Sequence, residues 1–179
     1  MNRNAISRGI VATMCLVMVA PVCLGLFFAG AVNSKDSLEF KIFGENVLTS
    51  VRGVDAGTFP WVAGNSHATL NDDGTLDIKI RGLVLAAGVD STGGLIPANL
   101  VGTNPVQTVR IAVTWMVPGL PVFIQETDPL PLDPNGDLSA KRVTLDATPP
   151  AGAERPIILV RAETPFTGPF IASSNIVVD

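Results

Sequence analysis

Apolar and polar residues alternate along several short segments of the chain, and this period of two is the pattern of half-buried β-strands. The clearest segment is Thr75–Arg81, in which apolar residues point to one side and the charged residues between them point to the other. It follows the turn sequence Asn71-Asp-Asp-Gly74, and the segment before that turn is Ser66–Leu70. The pattern therefore predicts a hairpin of two strands.

Similar alternation predicts three further strands, at Thr108–Trp115, Leu138–Leu145 and Ile157–Glu163. The last begins apolar on both faces, which is typical of a strand in the interior of a sheet. At Gly82 the alternation shifts by one position, and an isolated glycine at such a shift indicates a β-bulge or a crossing between sheets. Asp133–Asp137 is a second hairpin-like turn signal. Shorter strands are predicted at 40–43, 47–51, 122–127 and 170–173.

Seven to nine short strands separated by turns favour an all-β fold. We expect a single antiparallel β-sandwich of immunoglobulin-like size, preceded by an N-terminal hydrophobic helix, and a β-barrel is the alternative. The Gly- and Pro-rich segment 86–107 is too long for a tight turn and predicts a surface loop. The predicted core contains the inward-facing residues Leu76, Ile78, Ile80, Val109, Ile111, Val113, Ile158 and Val160.

The first 31 residues have the three parts of a secretory signal peptide. Arg3 and Arg8 are followed by an uncharged, apolar run over residues 9–32, and small residues stand at Ala29 and Ala31. We predict cleavage after Ala31, which leaves residues 32–179 as a β-sandwich domain that is secreted or held in the cell envelope. Because about 20 apolar residues suffice to span a bilayer, anchoring through residues 9–32 is the alternative.

Charge and cysteine content change as soon as this leader is removed. Cys15 and Cys23 both lie in it, so the exported domain is expected to have no disulfide and no thiolate chemistry. All 16 acidic residues but only 10 of the 12 basic ones follow Ala31, which gives the domain a net charge of −6. Acidic character without a basic cluster argues against nucleic acid as a partner.

His67 is the only histidine, so a zinc site with several histidine ligands is excluded, and a Ser-His-Asp triad would have to use this residue as its base. In the strand pattern His67 faces solvent. Asp72-Asp73 and the pair Asp133 and Asp137 offer carboxylates for glycosidase-type chemistry, but both pairs stand in turns, where Asp is favoured for local hydrogen bonds. We therefore assign no catalytic residue and no cofactor.

Asp133, Asn135 and Asp137 have the spacing of oxygen ligands at the start of a calcium loop. The position at which an EF-hand needs glutamate holds Thr144, so an EF-hand is excluded. A calcium site of another kind stays open at this point, and no metal ligand is assigned.

Phe59 and Trp61 are the candidate ligand-binding residues. They flank Pro60, which stiffens the segment, and the pattern allows either packing against one end of the sandwich or contact with a ligand. Trp115, by contrast, ends an apolar strand face and is expected in the core.

Three segments of the sequence are similar to segments of other proteins. They are Val51–Val62, with the sequence VRGVDAGTFPWV, Asp73–Leu85, with DGTLDIKIRGLVL, and Gly102-Thr-Asn-Pro105. They are similar to a group of small exported bacterial proteins of unknown function, over residues 47–175. The resemblance implies export and a β domain, and it implies no activity.

These observations favour a non-enzymatic binding or structural module at the cell envelope, with an envelope protein or glycan as its partner. Two other hypotheses remain open. One is a secreted hydrolase with an unrecognised carboxylate site, and the other is a subunit of an envelope assembly that pairs through an edge strand.

Overall fold

Alternating apolar residues form antiparallel strands throughout the part of the chain that the structure, a computed structural model, describes: residues 37–45, 47, 49–164 and 168–176. These residues contain strands, turns and loops and no helix, so the predicted all-β class is confirmed for them. The predicted N-terminal helix and the leader lie outside the described residues. The strands are β1 (Leu38–Gly44), β2 (Ser50–Val51), β3 (Val54–Asp55), β4 (Trp61–Val62), β5 (Ser66–Leu70), β6 (Leu76–Ile80), β7 (Val84–Leu85), β8 (Thr108–Met116), β9 (Phe123–Glu126), β10 (Leu130–Pro131), β11 (Leu138–Val143), β12 (Glu154–Thr164) and β13 (Phe170–Ile176).

Nine of these strands form one antiparallel sheet in the order β10-β8-β12-β13-β1-β5-β6-β11, with β9 also paired to β8. The first and last strands of this order are consecutive along the chain, and only residues 132–137 join them. A connection of this length brings the two edges of the sheet together, so the sheet is curled. Two pairs, β2-β3 and β4-β7, form separate small sheets.

The predicted hairpin is confirmed as β5 and β6, which pair in register from His67 opposite Lys79 to Leu70 opposite Leu76. The turn closes through the Asn71 N–H, which donates to the Thr75 carbonyl at 2.8 Å. The turn at Asp133–Asp137 is also present, with the Asp133 N–H donating to the Asp137 carbonyl at 3.0 Å. It does not make a hairpin, because β10 before it pairs with β8 and β11 after it pairs with β6.

The interior of the curl is the hydrophobic core. All eight residues predicted for it are buried, with at most 2% of their surface exposed. Alternation alone found them because each lies on a strand with one face turned inward. The same cluster also contains residues from strands with weaker patterns and from loops, among them Phe40, Ile42, Ala68, Leu70, Leu83, Leu85, Val106 and Leu138.

The middle of the sheet is buried on both faces. β12 lies between β8 and β13, as its apolar start predicted. On the outer face Ala112, Leu159 and Phe170 form a second apolar cluster, which the β2-β3 hairpin covers with Val51 and Val54. This second layer explains why β8 carries buried residues at even as well as odd positions.

The shift of alternation at Gly82 is a crossing between sheets, one of the two predicted forms. β6 ends at Ile80, Gly82 has a φ of 56°, and β7 pairs with β4 in a sheet of its own. The chain then runs through the predicted surface loop before it re-enters the large sheet at β8. Within that loop Leu95 is 81% exposed.

Candidate functional site

The segment with the two predicted ligand-binding residues lies at the end of the curled sheet where β6 ends and β8 begins, called here the Trp61 end. Its backbone is fixed on three sides. The Trp61 N–H donates to the Glu45 carbonyl at 2.7 Å, the Ala86 N–H donates to the Pro60 carbonyl at 2.9 Å, and the Gly57 N–H donates to the Phe170 carbonyl at 2.9 Å. The segment is therefore a rigid part of this end.

Phe59 and Trp61 line the same cleft, called here the Trp61 cleft, which has a volume of about 370 Å³. Trp61 is 6% exposed and belongs to the core, and Phe59 is half-buried against it. Each side chain therefore packs against the core and also faces the cleft. This position is compatible with both interpretations of the sequence, packing and contact with a ligand. A ligand role for the pair stays a prediction. The other lining residues are Ala56, Gly57, Thr58, Val106, Ala162, Pro169 and Ile171.

Apart from Thr58, the side chains that line the Trp61 cleft are apolar. Val106 comes from the long loop, whereas Ala162 and Ile171 come from the paired strands β12 and β13. Sequence reasoning missed these three residues because their approach to Phe59 depends on pairings between distant segments. The volume lies in the range of small-molecule pockets, and the apolar lining suits an apolar group.

His67 lies on the exposed face of β5, as predicted. Its cross-strand neighbours are Lys41 on β1 and Lys79 on β6. The adjacent Ser66 points into the protein instead, where its hydroxyl accepts a hydrogen bond from the Arg81 N–H at 2.9 Å. His67 and Ser66 thus face opposite sides of the strand and do not form a catalytic pair.

The carboxylates at the Asp133–Asp137 turn serve the turn and the strand beside it. Asp133 Oδ1 accepts hydrogen bonds from the backbone N–H groups of Asn135 and Asp137, both at 2.8 Å. Asp137 accepts a hydrogen bond from the Gly82 N–H at 2.8 Å and pairs with Arg81 at 2.7 Å. The hydrogen bond from Gly82, and then Arg81, lower the pKa of Asp137. Among the described residues no group of three or more His, Cys, Asp or Glu side chains could hold a metal ion.

The second acidic turn is also internally bonded. Asp73 Oδ1 accepts hydrogen bonds from the hydroxyl of Thr75 at 2.6 Å and from its N–H at 3.0 Å, and Asp73 Oδ2 pairs with Arg142. The Thr75 hydroxyl is the main cause of the lowered pKa of Asp73. A glycosidase acid needs a raised pKa, so the pKa shifts of Asp73 and Asp137 are in the opposite direction.

A second cleft, of about 410 Å³, lies at the opposite end of the curled sheet, where β6 begins and β8 ends. Half-buried Trp115 lines it, and the turn at 71–75 and the segment at 144–149 form much of its wall. Trp115 packs against the core, so its expected core position is confirmed only in part. The sequence signal for this cleft was weak, because its walls combine a turn, the segment at 144–149 and single residues of separate strands.

No helix among the described residues is long and apolar enough to cross a membrane, and the run at 9–32 lies outside them. A scan against protein-family models gave no match for the chain, and neither did searches of the curated proteins and of the solved structures.

Proposed function

We propose that this chain is an exported, non-enzymatic binding module of the cell envelope or the extracellular space. It takes an apolar group of an envelope protein, or the apolar face of a glycan, into the Trp61 cleft. The observation that carries the proposal is that Phe59 and Trp61 line one apolar cleft of about 370 Å³ on a rigid segment. Buried aromatic side chains beside a preformed pocket supply binding energy with little loss of conformational entropy.

The scaffold we propose is a β-sandwich, in which two parts of the curled sheet face each other across one core. The single large core cluster supports this arrangement, because it takes residues from β1, β5 and β6 as well as from β8 and β12. A half-barrel is the other description of the same strand order.

The hydrolase hypothesis is less favoured by the electrostatics of the acidic turns. Asp73 and Asp137 have lowered pKa values because hydrogen bonds stabilise their charged forms. Such carboxylates remain ionised and are poor proton donors at neutral pH.

The edge-strand hypothesis is less favoured by the geometry of the sheet edges. β11 contains a register shift between Ala140 and Val143, and Arg142 there has a φ of 51°. The other edge consists of β10, which has two residues including Pro131, and β9, which has four. Bulges, charged side chains and proline are devices that discourage pairing with another strand.

Export is tested by N-terminal sequencing of the protein recovered from cells. We expect the mature chain to begin at Val32. A chain that begins at Met1 would support the anchored form, and recovery only from the cytoplasm would contradict export.

Binding is tested by affinity capture from an envelope extract with the mature domain. Thr58 is exposed at the rim of the Trp61 cleft, so Thr58→Trp should block the cleft without disturbing the core. Ser139→Trp, at an exposed position on β11, is the matched control. We expect a partner that the unchanged domain and the Ser139 variant capture and that the Thr58 variant loses. Equal capture by all three proteins would contradict the proposed site.

A further inference from the structure

Two consecutive hydrogen bonds hold the side chain of Trp115 in place at the second cleft. Its indole Nε1 donates to Oε1 of Gln125 at 2.6 Å, and Nε2 of Gln125 donates to the carbonyl of Ala147. Gln125 is only 2% exposed, so its amide is held in place within the protein. An indole has one N–H donor, and because that donor is engaged inside the protein, the ring offers the cleft its carbon surface.

A carboxylate without a partner stands in the wall of the same cleft. Asp72 is exposed, and within the described residues it makes no hydrogen bond or ion pair. The next residue, Asp73, differs in this respect because Thr75 and Arg142 occupy its oxygens. A carboxylate without an ion pair therefore lines the same cleft as the Trp115 ring.

An aromatic ring and a free carboxylate in one cleft are complementary to an organic cation. The face of a tryptophan attracts an ammonium or guanidinium group through its quadrupole, and the attraction grows when the cation loses part of its water. The chain has a net charge of −4, so its overall field also favours cations. A volume of about 410 Å³ is sufficient for a small head group or the end of a long side chain.

We propose that this cleft, the Trp115 cleft, is a binding site for an organic cation, with Trp115 contacting the cation and Asp72 balancing its charge. Two sources supply this chemistry, a quaternary ammonium head group and a lysine or arginine side chain of a peptide. The proposal does not depend on the Trp61 cleft, which lies at the other end of the sheet.

The test follows Trp115 fluorescence in a Trp61→Phe protein, in which Trp115 is the only tryptophan. The probes are choline chloride, arginine amide, and 3,3-dimethylbutan-1-ol, which has the shape of choline without its charge. We expect saturable changes with at least one cation and about tenfold weaker binding of the neutral alcohol. Choline and arginine amide distinguish the two sources of the cation. Trp61 belongs to the core, and its substitution alters the packing there. Each titration is therefore repeated by calorimetry on the unchanged protein.

Variants assign the charge effect to one residue. Asp72→Asn should weaken cation binding about five- to tenfold, whereas Asp128→Asn, another exposed carboxylate, should leave it unchanged. Thr58→Trp, which blocks the Trp61 cleft, should also leave cation binding unchanged, so failure of one site is distinguishable from failure of the other. Because this variant adds a tryptophan, its binding is measured by calorimetry. Absence of saturable binding for both cations, equal binding of the neutral alcohol, or no effect of Asp72→Asn would overturn the proposal.

Discussion

The Asp137 carboxylate accepts a hydrogen bond from the backbone N–H of Gly82 at 2.8 Å, across 55 residues of chain. Gly82 lies where the chain leaves β6 for the small β4-β7 sheet, and Asp137 lies just before β11, the strand that pairs with β6. The contact therefore fixes the point at which one sheet passes into the other. Arg81 adds an ion pair to the same carboxylate.

Substitutions at Asp137 separate these two contacts. Asp137→Asn keeps an oxygen that can accept from Gly82 but loses the ion pair, whereas Asp137→Ala loses both. Because exposed ion pairs contribute little and a hydrogen bond to a crossing strand contributes more, we expect the Ala variant to lower the urea midpoint of unfolding more than the Asn variant. Equal midpoints for the two variants would contradict the role given to Gly82.

The acidic turns predict how stability depends on pH. Folding lowers the pKa of Asp73, chiefly through the Thr75 hydroxyl, of Asp90, chiefly through the Thr92 hydroxyl, and of Asp137, chiefly through the Gly82 N–H. In the unfolded chain these groups titrate near pH 3.9, roughly the ordinary value for Asp. Their contribution is therefore complete above that pH and is lost as pH falls through the lower folded values.

We expect urea midpoints to decrease from about pH 5 downwards through the range in which carboxylates titrate. The decrease should be shallower in Asp137→Asn, because one group with a lowered pKa is removed. A midpoint that rises on acidification, or a slope that no Asp substitution alters, would show that other groups control the acid response.

Two glycines with nearly the same positive φ, Gly136 and Gly74, have different surroundings. Their φ values are 77° and 79°, but a Cβ at Gly136 would overlap the backbone of Leu83, whereas one at Gly74 meets nothing within 4 Å. We expect Gly74→Ala to cost about 1 kcal/mol of unfolding free energy for the unfavourable φ alone. Gly136→Ala should cost about 3 kcal/mol or more, because the backbone contact is added. Chemical denaturation measures both, and similar losses would disprove the close approach.

Arg52 ties the β2-β3 hairpin to the large sheet. Its guanidinium donates to the carbonyl oxygens of Thr114 and Arg155, and partial burial is the main cause of its lowered pKa. Arg52→Ala should cost about 1–2 kcal/mol and loosen the hairpin over the outer cluster. Arg155→Ala is the control, since it keeps the accepting carbonyl and removes a neighbouring positive charge. Hydrogen exchange at Val51 and Val54 reports the hairpin, and unchanged exchange in Arg52→Ala would contradict the anchor.

Local alternation predicted the longer strands and eight core residues, because burial of one strand face leaves a period of two within the segment itself. It missed four strands of two residues each, β3, β4, β7 and β10, which are too short to show a period. The curl was not visible, since it depends on β10 and β11 pairing with strands far apart in the sheet. The second apolar layer was hidden for the same reason, because Ala112 and Leu159 meet only after β8 and β12 pair.

The two clefts were predictable to different degrees. Phe59 and Trp61 stood out because aromatic residues on both sides of a proline form a stiff local unit. Gln125 gave no such signal, because an alternating polar residue is read as solvent-facing. Its burial follows from Trp115 and Ala147, which lie 10 and 22 residues away in sequence.

The central claim is that a partner occupies the Trp61 cleft, and site-specific photo-crosslinking in intact envelopes tests it most directly. A photoreactive phenylalanine analogue placed at Thr58 stands at the rim of the cleft, and one at Ser139 stands on the exposed face of β11. The proposal predicts a discrete crosslinked product from position 58 and none from position 139. No product from position 58, or the same products from both positions, would contradict it.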